Sequence, residues 1–282
     1  MSTTEKFTSE RLSERVWRLK DAYGVAMYLV EGSERACLID TGYGIKGLRE
    51  YVETLTEKPL FVLLTHGHVD HAFGAAEFDE VHMSHRDLPE FAAQSDAAWR
   101  ANFIKVAFSK KGTFEMNEPY AGEFIDVADG ETFDLGGLTV HCLAVPGHTP
   151  GCIVPVLPEE RIAIFGDAAG PGTLVTEEYA SVLSEYLVGL RKLKAHEGEW
   201  DRVVRFHGTC ESTKALLDDM IEICEQVIAG ADDHIAQPAN AGDVYPIKSD
   251  LPIYLAKETL PHSQQRVDGR EGNLFYRADK AC

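Results

Sequence analysis

Short apolar runs separated by turn residues dominate the first half of the chain. Residues 16–19 (VWRL), 25–30 (VAMYLV) and 36–40 (ACLID) read as successive strands, and 60–65 (LFVLLT) as a buried one. Residues 45–55 (IKGLREYVETL) have helical spacing, and 71–78 (HAFGAAEF) suit a short helix. Residues 85–118 are more polar, carry no strand pattern and read as a helical insertion over one edge. Strand-like runs resume at 123–128 (EFIDVA), 131–135, 138–145, 152–157 and 161–167, with turns at Gly136-Gly137 and at PEER. Two amphipathic helices follow. Tyr179, Val182, Leu183, Tyr186, Leu187, Leu190 and Leu193 share one face of the first; Leu216, Met220, Ile223, Cys224 and Val227 share one face of the second, which Gly230 stops. A strand at 202–206 (RVVRF) lies between them, and residues 238–282 read as a C-terminal extension of turns and short strands.

Strand-rich blocks flanked by helices in both halves predict an α/β fold, a four-layer αββα sandwich of two packed sheets with helices outside. No linker or low-complexity run divides residues 1–282, so one domain is expected. That length buries a large core without staples. The 44% hydrophobic and 26% charged content is that of a soluble globular protein. No uncharged apolar window is long enough to span a membrane, and the N-terminus lacks the apolar core of a secretory signal, so the expected location is cytoplasmic. A net charge of −19 argues against a nucleic-acid partner, because phosphate binding needs a local excess of Lys and Arg. The six cysteines are scattered without a CxxC pair and read as reduced thiols.

The chemistry concentrates in THGHVDH, residues 65–71, where His66, His68, Asp70 and His71 follow an apolar run directly. Such groups are costly beside a buried strand unless something pairs with them. His66, His68 and Asp70 share parity, so an extended segment would send all three to one side, and His71 could turn toward them from the start of a helix. Imidazoles and a carboxylate together suit a borderline divalent metal. Four such groups within six residues exceed what one tetrahedral ion shares out, so two ions are the natural reading. Further ligands should come singly at strand ends. His148 in AVPGHTPG, Asp167 in IAIFGDAAG and His207 in VVRFHGTC each follow an apolar run. Tyr43 and Phe73 flank these motifs as pocket-lining or packing residues. Lys248, Lys257 and Arg266 read as solvated charges.

THGHVDH followed in order by PGHTPG, FGDA and FHG resembles the metallo-β-lactamase-fold hydrolases, over roughly residues 14–230. The resemblance implies two divalent ions, zinc first with iron and manganese also suited. His66, His68 and His148 would hold one ion and Asp70, His71 and His207 the other, with Asp167 bridging and Asp40 of LIDTG supporting the loops from behind. It further implies hydrolysis of a small-molecule ester, thioester or lactone by a metal-activated water, with Asp70 as the catalytic residue that orients it. An aspartate at 167 is similar to the hydroxyacylglutathione hydrolase, lactonase and phosphodiesterase branches; β-lactam hydrolases have no bridging aspartate there. A phosphodiesterase is therefore the alternative, ahead of a β-lactam hydrolase. The tyrosine that lactonases carry shortly after the bridging aspartate has no counterpart in AAGPGTL. A homo-oligomer is compatible with the sequence.

Overall fold

The computed structural model describes residues 6–107, 114–238 and 251–282, so Lys248 lies outside the described residues. By contact the chain falls into two compact units: Met1–Cys142 with Leu157–Glu160 and Phe206–Cys210, and Leu143–Val156 with Arg161–Arg205 and Glu211–Cys282.

The first unit is built on a six-stranded sheet in chain order: β1 (Phe7–Arg11), β2 (Val16–Asp21), β3 (Ala26–Glu31), β4 (Ala36–Ile39), β5 (Leu60–Leu63) and β6 (Val81–His82). The first four pair antiparallel, and β4–β5 and β5–β6 pair parallel. β3 and β4 are buried along nearly their whole length, which is why they read as continuous apolar runs. Helix α1 (Leu48–Glu53) crosses from β4 to β5, burying Leu48 and Val52. The parallel register sets Ile39 beside Leu63, so the chain delivers Asp40, directly after β4, and Thr65, two residues after Leu63, to one end of the sheet. That carboxyl end of parallel strands is where open α/β sheets place their ligands. The short helix α2 (Val69–Ala72) follows, then α3 (Leu88–Gln94) and α4 (Ala97–Ala107), and the hairpin β7 (Thr132–Asp134) with β8 (Thr139–Ala144).

The second unit orders its strands β13 (Glu211–Ser212), β12 (Arg202–Val204), β10 (Ile162–Ile164) and β9 (Ile153–Leu157) in one sheet. In the other they run β11 (Thr173–Val175), β16 (Leu274–Arg277), β15 (Ile253–Leu255) and β14 (Ile235–Gln237). Helices α5 (Leu183–Ala195) and α6 (Leu216–Ile228) bury their apolar stripes with Phe165, Trp200 and Val203 in one core. The α/β class predicted from the sequence stands. Among the described residues no helix is long and apolar enough to cross a membrane, and no disulfide forms; five of the six cysteines are buried.

Several local expectations differ. Residues 123–128 make no strand: only Ile125 bridges, to His82, and Ile125 is 48% exposed. The ladder has nothing to extend along, because β6 ends after two residues where Ser84 caps a 3-10 turn. β1 escaped notice because only Phe7 of its five residues is buried. α5 begins at Leu183, leaving Tyr179 in the preceding loop. Arg266 is 2% exposed rather than solvated, donating to the Gly272 carbonyl and bonded to Asp268.

Candidate metal centre

In the first unit the chain turns sharply at Asp40, which adopts the left-handed region at φ 61°. Its carboxylate then meets the motif. The Thr65 amide donates to Asp40 Oδ1 at 2.7 Å, the Thr65 hydroxyl to Oδ2 at 2.7 Å, and His71 Nδ1 lies 2.7 Å from Oδ2. The motif is not extended through Asp70, as parity suggested. His68 is the N-cap of α2, and Asp70 and His71 lie in its single turn. The groups still converge because His68 keeps extended backbone while the helical turn swings the next carboxylate and imidazole round. Gly74 lets α2 sit against the β4 loop, since a Cβ there would stand 2.3 Å from the Thr41 carbonyl oxygen.

His207 joins this unit through Phe206, whose carbonyl accepts from the Ala26 amide at 2.9 Å and whose ring packs on Tyr28 and His71. Ligand atoms of Asp70, His71 and His207 all lie within 4.8 Å of one another, as do those of Asp40, His66 and His71. Asp70 Oδ2 is 3.4 Å from His71 Nε2 and 3.3 Å from His207 Nε2. His66 Nε2 faces His68 Nδ1 at 3.1 Å.

In the second unit His148 follows β8 and Asp167 follows β10, with His148 Nε2 3.8 Å from Asp167 Oδ2. The Leu174 carbonyl holds His148 Nδ1 at 2.7 Å. Tyr186 sits beneath both loops. Its ring would be 2.3 Å from a Cβ at Gly147, and its hydroxyl donates to the Ala168 carbonyl.

The proton inventory tests whether these donors suit cations. The Thr65 hydroxyl gives its one hydrogen to Asp40, so toward His66 Nδ1, 3.0 Å away, it accepts. That leaves a lone pair on His66 Nε2, aimed at His68 Nδ1. His68 turns Nε2 toward the buried Glu90 carboxylate at 3.6 Å, and a proton on that nitrogen would leave the Nδ1 lone pair facing His66. His71 donates Nδ1–H to Asp40, leaving Nε2 to face the Asp70 carboxylate. Inward-facing nitrogens on imidazoles that are held from behind by an oxygen, as His66 and His71 are, or that face one, as His68 does, are the arrangement a divalent ion fits. Burial alone would raise the Asp70 carboxyl; in the metal-free chain, protonated His71 and His207 donating from Nε2 overcome it and hold it well below the carboxylate range, and a bound ion would stand where those protons are. Burial raises Asp40, against the pull of His71 and Thr65.

Tyr43 and Phe73 are packing residues: Tyr43 meets Tyr23 and Phe103, and Phe73 lies between Phe91 and the Arg100 guanidinium. Sequence reasoning missed Thr65, Glu90 and Tyr186. Thr65 adjoins the motif and could have been flagged as a hydroxyl beside a ligand. Glu90 lies beyond any local spacing rule, and Tyr186 hid within an apolar stripe.

Comparison with known proteins bears on the same residues. The family model described as the metallo-beta-lactamase superfamily matches residues 21–222, a span that contains Asp40 and every proposed ligand. The acyl-coenzyme A thioesterase MBLAC2 of Homo sapiens is 24% identical over 252 residues, covering 82% of each chain. The atrochrysone carboxyl ACP thioesterase of Emericella nidulans is 28% identical over 195 residues, covering 66% of this chain and 54% of the relative's length. Among solved structures, a metallo-beta-lactamase from Pontibacter korlensis superimposes with a TM-score of 0.56 at 22% identity, over 77% of this chain and 97% of its own. The sec-alkylsulfatase Pisa1 from Pseudomonas sp. reaches 0.63 at 13% identity, over 79% of this chain and 42% of its own. At such identities these structures speak for the fold alone. The fold and the family match over residues 21–222 agree, and the chain belongs to the metallo-β-lactamase superfamily.

Proposed function

We propose that this chain is a cytoplasmic, two-metal hydrolase of small acyl thioesters, zinc being the expected metal, with both compact units forming one catalytic domain. The observation that carries the metal reading is the inward-facing donor set of His66, His68, Asp70, His71 and His207, with every rear nitrogen of the motif histidines turned toward an oxygen. Thioesters are favoured over lactones and other esters by the relatives, two of which are named thioesterases of acyl-coenzyme A and of an acyl carrier. A family match that runs through both units supports a single domain.

His66, His68 and His148 would hold one ion and Asp70, His71 and His207 the other, with Asp167 shared. Ions held there supply a Lewis acid for the acyl carbonyl and lower the pKa of water toward neutrality. Asp70, which lies 3.4 Å from His71 Nε2 and 3.3 Å from His207 Nε2, would orient the attacking water and receive its proton. Asp40 and Thr65 hold His71 and His66 in the tautomers that leave the inward nitrogens unprotonated.

The test is a substrate panel of acyl-coenzyme A thioesters, lactones, a β-lactam and bis(p-nitrophenyl) phosphate, run beside metal analysis. Thioester turnover should exceed the rest, with two ions bound per chain. Asp70→Asn should lower kcat by about 10²–10⁴-fold. Phosphodiester turnover above thioester turnover would overturn the substrate class, and full metal retention in Asp167→Ala would overturn the shared-ligand assignment.

A further inference from the structure

The segment after the motif turns a buried polar face toward it. Asp87, Glu90 and Gln94 recur at the spacing that lines up side chains on one side of a helix, here at the N-cap, first turn and last residue of α3. All three are buried. The Gly67 amide donates to Asp87 Oδ2 at 3.0 Å, and the Val69 amide to Gln94 Oε1 at 2.7 Å. The backbone amides on either side of His68 are thus both taken by this helix. Gln94 uses its amide nitrogen to donate to Glu90 Oε1, the same oxygen that lies 3.6 Å from His68 Nε2. The contact is tight from the other side too. A Cβ on Gly67 would meet the Asp87 carbonyl oxygen at 3.0 Å, so any larger residue would press α3 back by a few tenths of an ångström.

We propose that Glu90 is the positioning residue for the metal ligand His68, presented by a face of α3 that clamps the motif backbone on both sides of that histidine. A ligating imidazole normally gives its rear N–H to a carboxylate or carbonyl, which sets tautomer and ring angle. Asp40 does this for His71 at 2.7 Å; Glu90, 3.6 Å from His68 Nε2, is the carboxylate placed to do it for His68, 22 residues along the chain. A carboxylate this deeply buried needs a compensating charge, and the cation that His68 would ligate supplies one through the imidazole. At 3.6 Å the pair exceeds hydrogen-bond length, so Gln94 rather than His68 fixes where Glu90 sits. The proposal rests on the ligand assignment of His68, and the test separates the two.

Zinc affinity of the full chain is measured by competition with a chromophoric chelator, beside the d–d spectrum of cobalt(II)-loaded protein and the melting temperature of metal-stripped protein. Glu90→Gln keeps the shape and removes the charge. Its zinc affinity should fall about 10–100-fold and its cobalt spectrum should shift, while the metal-stripped melting temperature stays that of the wild type. Should Glu90→Gln fail to fold, Glu90→Asp, which withdraws the carboxylate by one methylene, is read the same way. His68→Ala, run in parallel, should lose one ion. If His68→Ala loses an ion but the Glu90 variants keep wild-type affinity and spectrum, the positioning role is overturned and the ligand assignment stands. If His68→Ala retains wild-type stoichiometry, the ligand assignment fails and the role of Glu90 goes with it.

Discussion

Thr65 carries more of the site than its size suggests, because one residue fills both oxygens of Asp40 and still accepts from His66. Thr65→Val keeps the volume and the backbone bond but deletes the hydroxyl. The expected loss is about 1–3 kcal/mol, the penalty for a buried acceptor left short of a donor, read as a lower urea midpoint. Metal affinity should fall in the same variant, since His66 loses the group that sets its tautomer. Gly74 illustrates a second kind of constraint. Its hydrogen faces the Thr41 carbonyl oxygen at a range no Cβ tolerates, and Thr41 also accepts and donates bonds that hold α2 in place. Gly74→Ala should destabilise by about 1–3 kcal/mol or more through overpacking, again read by denaturant titration. An unchanged midpoint there would mean that the β4 and α2 loops can part without loss.

At the scale of elements, α5 and α6 are held by burial rather than by caps: neither has a side-chain N-cap hydrogen bond, and both bury one stripe in the second unit's core. Ile223→Ala should therefore lower stability by about 2–5 kcal/mol, as deletions of buried methylenes do. Val188 on the outer face of α5 is 66% exposed, and Val188→Ala should change stability by about 0.5 kcal/mol or less. The small sheet β11-β16-β15-β14 depends on polar ties as well. Asp233 accepts from the Glu258 amide at 2.9 Å and from Lys257 Nζ at 3.1 Å, and these two, the amide first, hold its carboxyl below the ordinary value. Because the folded carboxyl titrates lower than the unfolded one, its stabilisation is complete above the unfolded value of about 3.9 and is lost as pH falls through the lower folded value. Asp233→Asn should accordingly flatten the acid side of the melting-temperature profile. An acid limb identical to the wild type would remove this tie from the account.

For the whole molecule, bound metal should act as a stabiliser by mass action. The imidazoles of the motif are buried with their lone pairs turned inward, an arrangement the unfolded chain does not hold. Metal at about a thousand times its dissociation constant would add about 4 kcal/mol, so a chelator should lower the melting temperature and zinc should restore it. A melting temperature indifferent to chelator at full metal loss would contradict a preformed site. A net charge of −19 disfavours polyanions, so nucleic acid is expected not to compete with small substrates in the activity assay.

Much of this was readable along the chain because its signals are local. Buried strands show as apolar runs, α6 as a stripe of period 3.6, and the motif as four donors in six residues, whose residue types already imply borderline-metal chemistry. Proximity in sequence could not say how the donors point. Parity suggested an extended segment through Asp70, whereas the chain enters α2 at Val69 because Thr41 and Gly74 draw that turn onto the β4 loop. Nor could local pattern separate Ile125, whose would-be partner strand ends early, from the strands that pair, or Arg266 from a solvated cation. The groups behind the ligands were the least visible. Asp40, Glu90 and Leu174 reach their histidines from 31, 22 and 26 residues away, and no spacing rule reaches so far, because those contacts exist only once strands and helices have packed.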